Sequence, residues 1–419
     1  MDINWKTLKR NVLLFLAVVG PGLITAMADN DAGGVATYSV AAAMYGMSSQ
    51  YFVILTTILL AITQEIGARI AIVTGKGLGD LIRENYGVRT AVILFFFYFI
   101  VNQGVVLQDI TGLKSAIQLF GLPWQLVLVA ACVVMVLLVI FLNYKSLQRV
   151  FLITIILYAV YIFSAFLSKP DWGQAIKQSI LIPQRDFVYN LHYWFALIAV
   201  LGTTVTAWGQ FFVNSYVADK GLKPEQLKHE KGEIYAGAFL TNFFSWMIAV
   251  AVTYTLFVHR IPITDGYSAA LAIKPLAGNL AYGLFAVGLL AASFLGLTIV
   301  PLATAYVFTE FFGYERTLDA SFAKGKVFYT FFILQIALGL VTALFPKVNL
   351  FGLTLYADYL NGAMLPIIFY FLIRFSEDKQ VMGEYISRGF PRWFLRISAL
   401  LITIAVAVTL VGALVFHLQ

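Results

Sequence analysis

Long apolar segments, joined by short polar loops, repeat along the whole of this chain. A helix needs roughly 20 consecutive apolar residues to cross a bilayer, and most of these segments reach that length. The pattern therefore predicts an all-α integral membrane protein with about eleven transmembrane helices. The predicted spans lie near residues 11–45, 50–74, 90–120, 124–143, 149–168, 190–217, 233–258, 277–312, 326–345, 350–374 and 393–417.

The first of these spans has a polar centre. Asp29, Asn30 and Asp31 are followed closely by Gly33 and Gly34. A carboxylate at that depth costs at least about 2.5 kcal/mol, which is why such a residue usually marks an ion site or pathway. The glycine pair allows the helix to break there, so that backbone carbonyls face the same space. We interpret this centre as a cation site in a membrane transporter.

The sixth span has a second centre that is poor for a helix, from Gly202 to Gln210. Because it lies five spans after the first, the two broken helices predict two inverted five-helix repeats that share a site at mid-membrane. The predicted repeats cover residues 11–168 and 190–374, and the last helix, 393–417, falls outside them. No soluble domain is predicted, so residues 1–419 are expected to form a single transporter domain.

The composition agrees with a membrane protein and excludes other classes. Hydrophobic residues make up 61% of the 419 residues and charged residues 12%, whereas a soluble protein carries about 25% charged residues. The net charge of +7 comes from scattered Lys and Arg, so no nucleic-acid partner is predicted. The expected surroundings are a lipid bilayer, and nothing in the sequence implies an obligatory protein partner.

The basic residues concentrate in the loops on the side of the N-terminus. By the positive-inside rule, the N-terminus is predicted to be cytoplasmic, and an odd number of spans places the C-terminus outside. Compact loops and the lack of organelle-targeting features favour a prokaryotic plasma membrane.

Several motifs, taken in order, are similar to those of one family. The stretch Gly20-Pro21-Gly22, then eight residues, then Asp31-Ala32-Gly33-Gly34 resembles the first helix of Nramp metal-ion transporters, where GPG precedes Asp-Pro-Gly-Asn. The resemblance implies an inverted-repeat fold of the amino-acid-transporter type, with helices 1 and 6 broken, and transport of divalent metal cations. Further matching motifs are Ala68-Arg69, Ile72 to Lys76, Gly202 to Val205, Gly288 to Ala292 and Met382-Gly383.

The resemblance also implies a set of metal ligands. In the family, the first-helix Asp and Asn bind the metal, and the sixth helix adds a backbone carbonyl and a Met thioether. Here Asp31 keeps the acid, while Gly34 stands at the Asn position and Thr206 at the Met position. The carbonyl is expected from Thr203, and the carbonyl of Ala28 is a further candidate.

These departures favour a hard cation. A thioether prefers late transition metals, whereas hydroxyl, carbonyl and carboxylate oxygens suit Mg²⁺, Ca²⁺ and Mn²⁺. Gly34 removes one ligand and opens space, and Mg²⁺ usually keeps several of its waters. We therefore predict uptake of a partly hydrated Mg²⁺, with Mn²⁺ also accepted. This pattern resembles the Nramp-related magnesium transporters, a divergent branch of the family.

A second pair of departures concerns protons. Trp208 stands where the family has a His, and Gln108 where it has a Glu, two groups that accompany proton transfer. Because Trp cannot titrate near neutral pH as His does, we predict weak or no proton coupling. The membrane potential would drive entry, since it gives a divalent ion about 4.6 kcal/mol per 100 mV. Asp109, a candidate pathway residue, opposes this prediction. If the alignment with the family is shifted by one residue, its carboxylate stands at the position of the family Glu.

The other polar residues have alternative interpretations. Asp29 and Asn30 are predicted as ligands or as pore-lining or capping residues, and Asp31 also suits the N-cap of a half-helix. Thr206 is a ligand or bonds back to its own helix. The remaining intramembrane amides, Gln210 and Asn361, are more typical of contacts between helices or of water coordination than of direct ligation.

Two other transporter classes stay open from the sequence. One is a proton-coupled importer of Mn²⁺ or Fe²⁺, and the other is a sodium-coupled transporter of an organic solute. Asp31 argues against a solute carboxylate at the break, because the two charges would repel. We see no catalytic constellation or nucleotide motif, so neither an enzyme nor a cofactor other than the transported ion is predicted.

Overall fold

A computed structural model describes residues 20–181, 190–261, 263, 266–314, 318, 322–345 and 354–416. Within these ranges the chain is helical, and ten helical segments are long and apolar enough to cross a membrane. The broken first helix adds a further crossing, so the prediction of about eleven spans is confirmed. The parts of the predicted spans at residues 11–19, 350–353 and 417 lie outside the described residues.

The helices are numbered here in chain order. They are α1 (Pro21–Ala28), α2 (Ala32–Tyr45), α3 (Val53–Thr74), α4 (Leu78–Leu119), α5 (Trp124–Phe141), α6 (Tyr144–Ile156), α7 (Val160–Leu167), α8 (Trp172–Ile180), α9 (Leu191–Thr204), α10 (Ala207–Lys220), α11 (Leu227–Val252), α12 (Gly266–Phe312), α13 (Lys326–Leu344), α14 (Thr354–Ser376), α15 (Lys379–Met382) and α16 (Gly389–Phe416).

Some helices begin earlier than the apolar pattern predicts. Helix α4 begins at Leu78 rather than near residue 90, and it kinks at Gly87, whose φ is 81°. The turns before the kink bury Leu78, Leu81 and Ile82. Charged residues lie between these apolar ones, so a hydropathy window misses the segment. The other early starts are those of α6 at Tyr144, α11 at Leu227, α12 at Gly266 and α16 at Gly389.

The two broken helices, α1–α2 and α9–α10, lie at the centre of the molecule. Helix α1 packs on α11, α10 packs on α3, and α9 packs on α14, while α4 runs along α12. Helix α16 contacts α14, α9 and α3. The central placement of the two broken helices agrees with the predicted pair of inverted five-helix repeats, and the exact limits of the repeats stay a prediction.

The glycines of the GPG motif allow α1 to approach α11 closely. Pro21 is the first helical residue of α1, where its fixed φ suits the helix and its missing N–H costs nothing. The N–H of Gly20 donates to Glu233 Oε2 on α11 at 2.6 Å. A Cβ on Gly20 would lie 3.0 Å from Glu233, and one on Gly22 would lie 3.0 Å from Glu230. Side chains at these two positions would therefore separate α1 from the glutamates that hold its beginning.

Candidate metal centre

The first helix break lies between Ala28, the last residue of α1, and Ala32, the first of α2. Asp31 is the N-cap of α2, and its Oδ1 accepts a hydrogen bond from Gly34 N at 2.8 Å. Ala32 N donates to Asp109 Oδ1 on α4 at 3.0 Å. In a continuous helix that amide would bond to the carbonyl of Ala28. The predicted capping role of Asp31 is confirmed, and the Ala28 carbonyl is left without its helical amide.

The second break has the same layout. Thr206 is the N-cap of α10, and its Oγ1 accepts a hydrogen bond from Gly209 N at 2.9 Å. Ala207 N, which would otherwise bond to the Thr203 carbonyl, donates to Asn361 Oδ1 on α14 at 2.7 Å. At both breaks a side chain from a neighbouring helix takes the first amide, so the two carbonyls predicted as ligands lose their helical partners.

Asp29 joins the two breaks. Thr206 Oγ1 donates to Asp29 Oδ1 at 2.5 Å, and Gln64 Nε2 on α3 donates to Asp29 Oδ2 at 2.8 Å. Both carboxylate oxygens therefore hold structural hydrogen bonds. In this arrangement Asp29 fixes the first break against the second.

Asp358 is a further acid that our sequence analysis missed. It lies on α14, is 1% exposed and accepts a hydrogen bond from Thr37 Oγ1 on α2. The side chains of Gln108 and Thr203 lie against the same carboxylate, and Asp31 is close enough for electrostatic repulsion. The sequence did carry a signal, because an acid inside an apolar span is the feature that singled out Asp31.

Oxygen atoms from both breaks converge closely on Gly34. A Cβ on Gly34 would lie 3.2 Å from the backbone oxygen of Asp29 and 3.4 Å from both Asn30 Oδ1 and Thr203 Oγ1. Asn30 is 1% exposed, and neither atom of its amide has a hydrogen-bond partner among the described residues. A buried amide without partners is costly, so this convergence of oxygens suits a bound cation or its waters.

The centre is strongly acidic and buried. Asp29, Asp31, Asp109 and Asp358 are each at most 2% exposed, and none of them forms an ion pair with a basic side chain in the described ranges. Burying one unpaired charge costs several kcal/mol, so a cation would stabilise this arrangement.

The carboxylates are nevertheless spread out. The described residues contain no group of three or more Asp, Glu, His or Cys side chains placed to hold one metal ion. A cation here would therefore need carboxylate ligands combined with carbonyl, hydroxyl, amide or water oxygens.

Trp208 and Gln210 lie in the first turn of α10 and are fully buried. Trp208 Nε1 and both amide atoms of Gln210 have no hydrogen-bond partner among the residues that the structure covers. No described hydrogen bond connects them to the four carboxylates. Their predicted pathway roles stay predictions.

Comparison with known proteins places the chain in a family. The model of the natural resistance-associated macrophage protein-like family, Nramp, matches residues 22–412. The divalent metal cation transporter MntH of Latilactobacillus sakei is 23% identical over 97% of this chain and 91% of its own length. MntH of Listeria monocytogenes serotype 4a is 25% identical over 94% of this chain and 88% of its own length.

Solved structures share the fold. The manganese transporter of Eremococcus coleocola, in complex with an aromatic bis-isothiourea substituted compound, gives a TM-score of 0.72 at 15% identity, covering 96% of this chain and 89% of that one. MhsT in complex with L-phenylalanine gives a TM-score of 0.62 at 14% identity, covering 94% and 98%. Because the family model spans most of its length, this chain belongs to the Nramp family and is a multi-pass membrane transporter, not an enzyme.

Proposed function

We propose that this transporter carries divalent metal cations, Mg²⁺ and Mn²⁺ above all, through the space between its two helix breaks. The observation that carries the proposal is that four separate buried aspartates adjoin the helix breaks without a basic partner in the described ranges. Two of them, Asp31 and Asp109, hold the beginning of α2, and Asp358 faces the same half-helix through Thr37. A permeating cation would offset their mutual repulsion.

The groups around Gly34 favour a hard ion. They are a backbone carbonyl, an amide oxygen and a hydroxyl, and such oxygens suit Mg²⁺ and Mn²⁺ better than late transition metals. Because Gly34 supplies no ligand, a bound Mg²⁺ would keep some of the waters that it gives up reluctantly. The names of the relatives support divalent cations and manganese, and magnesium is our extension from this chemistry.

We further propose that transport is weakly coupled to protons or not coupled at all. Trp208 occupies the position of the family histidine, and the Gln108 amide donates to the Thr354 carbonyl at 3.0 Å, which is a structural bond. Asp109 is the acid that would oppose this proposal, since its Oδ2 has no hydrogen-bond partner in the described part of the chain.

The proposed location is a prokaryotic plasma membrane, with the N-terminus in the cytoplasm and the C-terminus outside. The distribution of basic loop residues supports this orientation. The membrane potential then drives cations inward through the proposed path.

Reconstitution in liposomes tests the proposal. Mg²⁺ or Mn²⁺ entry and internal pH are followed together with fluorescent reporters, under an imposed membrane potential. We expect entry of both ions without acidification, and loss of entry in Asp31→Ala. The matched control is Asp171→Ala, because Asp171 also caps a helix, accepting from Gln174 N at 3.0 Å, but at an exposed position.

Three results would contradict parts of the proposal. Entry of Mn²⁺ or Cd²⁺ with acidification, and no Mg²⁺ entry, would indicate proton-coupled transport of transition metals instead. Entry that Asp31→Ala leaves unchanged would exclude the break as the path. Sodium entry driven by an organic solute would favour the solute transporter that the fold also permits.

A further inference from the structure

A second cavity lies away from the helix breaks. It measures about 540 Å³ and is enclosed mainly by α3, α9 and α16. Leu59, Ile198 and Ile402 form buried parts of its wall, while Leu55 and Leu401 on its lining are at least half exposed. All three helices are membrane spans by length and composition. The cavity therefore opens toward lipid rather than toward water.

One end of this cavity is polar. Gln50, at the end of the short 3₁₀ segment Gly46–Gln50 that follows α2, lines it and is 1% exposed. Its Nε2 donates to Ser49 Oγ at 3.2 Å, while its Oε1 has no hydrogen-bond partner among the described residues. Trp194, near the beginning of α9, lines the cavity too. Tryptophan is enriched where membranes meet water, so this end belongs to the bilayer interface.

The two ends together define the chemistry of an occupant. The apolar lining from α3, α9 and α16 suits a hydrocarbon chain. The unpaired Gln50 Oε1 at the polar end requires a hydrogen-bond donor. A phospholipid with a donor in its headgroup has both parts in the right order, and the bilayer supplies it. An acyl chain gains no hydrophobic energy on leaving the bilayer, so binding would depend on close packing and on that hydrogen bond.

We propose that this cavity binds one phospholipid, with an acyl chain between α9 and α16 and a headgroup donor on Gln50 Oε1. The site is separate from the proposed ion path and does not depend on which ion is carried.

The bound lipid would touch α2 and α9, the two half-helices that lie against the cavity. Tyr38 on α2 lines the cavity, and its hydroxyl is hydrogen-bonded to that of Thr204, the last residue of α9. Leu197 and Leu201, also on α9, belong to the same lining. A lipid in this position would therefore pack against the two segments that lead into the metal centre.

Native mass spectrometry of the purified full-length protein tests the site. The probes are 1-palmitoyl-2-oleoyl phosphatidylethanolamine, whose ammonium donates hydrogen bonds, and the matching phosphatidylcholine, whose quaternary nitrogen does not. Ala405→Trp and Ser398→Phe each place an aromatic ring in the cavity from α16, where it would block an acyl chain. Leu137→Trp is the matched control, because Leu137 is 45% exposed on α5, outside the cavity. Gln50→Leu removes the acceptor.

We expect the native protein and Leu137→Trp to retain one phosphatidylethanolamine, with a several-fold preference over phosphatidylcholine. Both filling variants should lose the bound lipid while keeping the unfolding temperature of the control. Gln50→Leu should keep a lipid and lose the headgroup preference. Lipid retention by both filling variants would overturn the site, and equal retention of the two lipids by the native protein would overturn the role of Gln50.

Discussion

The two helix breaks share a geometry and differ in charge. At each break a side chain caps the second half-helix, and a side chain from a neighbouring helix takes its first amide. In the first break these two groups are the carboxylates of Asp31 and Asp109. In the second they are the hydroxyl of Thr206 and the amide of Asn361.

The difference in charge shows which groups the backbone geometry of a break requires and which groups it does not. The second break shows that neutral groups suffice to hold a broken helix open in this fold. The negative charge of the first break is therefore not needed for the backbone geometry, and it costs energy at this depth. We infer that its carboxylates are there for the cation.

The sharpest test makes the first break neutral like the second. Asp31→Asn should keep the cap, because Asn and Asp are about equally good N-caps, but it removes the charge. We expect cation uptake to fall by at least about 100-fold, beyond the range typical of residues that only support a ligand. Uptake in liposomes and the unfolding temperature are measured together. Uptake close to that of the native protein would show that transport does not need the charge of Asp31.

Removing the charge of Asp358 should give the next largest effect, a loss of metal affinity. Asp358→Asn keeps a partner for Thr37 and removes one of the four negative charges. We expect about a 10-fold loss of apparent metal affinity, measured by isothermal titration with Mn²⁺. The control is Asp378→Asn, at the N-cap of α15, which accepts from Gln380 N at 2.9 Å on the protein surface. An unchanged affinity in Asp358→Asn would place this acid outside the ion path.

Substitutions at Thr206 test the second break, which is held by neutral groups. Thr206→Val removes the cap of α10 and the hydrogen bond to Asp29 while keeping the shape of the side chain. We expect a loss of about 1 kcal/mol in the free energy of unfolding and a smaller loss of uptake than in Asp31→Asn. Thr206→Ser should restore both. If uptake fell as far as in Asp31→Asn with unchanged stability, Thr206 would be a ligand instead of a structural group.

A substitution at Gly34 should give the smallest effect, a change in the preference between Mg²⁺ and Mn²⁺. Gly34→Ala places a methyl group 3.2 to 3.4 Å from three oxygens, which narrows the space that the breaks share. We expect uptake of Mg²⁺ relative to Mn²⁺ to fall by about threefold, less than about 1 kcal/mol, because Mg²⁺ holds its waters more tightly. Competition between the two ions in liposomes measures the ratio. An unchanged ratio would mean that ion hydration at Gly34 does not set selectivity.

Local signals made the two breaks predictable. Asp31 with the glycine pair, and the poor helix formers from Gly202 to Gln210, mark positions where an apolar helix is expected to break. The cap of Asp31 follows from the same local chemistry. The order of motifs along the chain then made the fold and the family accessible.

The rest depends on contacts between helices that no local pattern encodes. The bonds from Ala32 to Asp109 and from Ala207 to Asn361 connect residues far apart in the sequence, so the release of the Ala28 and Thr203 carbonyls could not be derived from spacing. The hydrogen bond between Thr37 and Asp358 is of the same kind. Asp358 itself carries the same local signal as Asp31, because it is an acid within an apolar span.

The capping of both half-helices also shapes the electric field at the centre of the membrane. Each helix carries about half a positive charge at its N-terminal end and half a negative charge at its C-terminal end. At the two breaks the positive ends, at Ala32 and Ala207, already donate their first amides to Asp109 and Asn361. The positive end of α2 thus stabilises the carboxylates of Asp31 and Asp109, while the negative ends of α1 and α9 face the same breaks. An anion, or the carboxylate of an organic solute, would find the first amides of both half-helices already bonded, at the point where related folds can offer free amides.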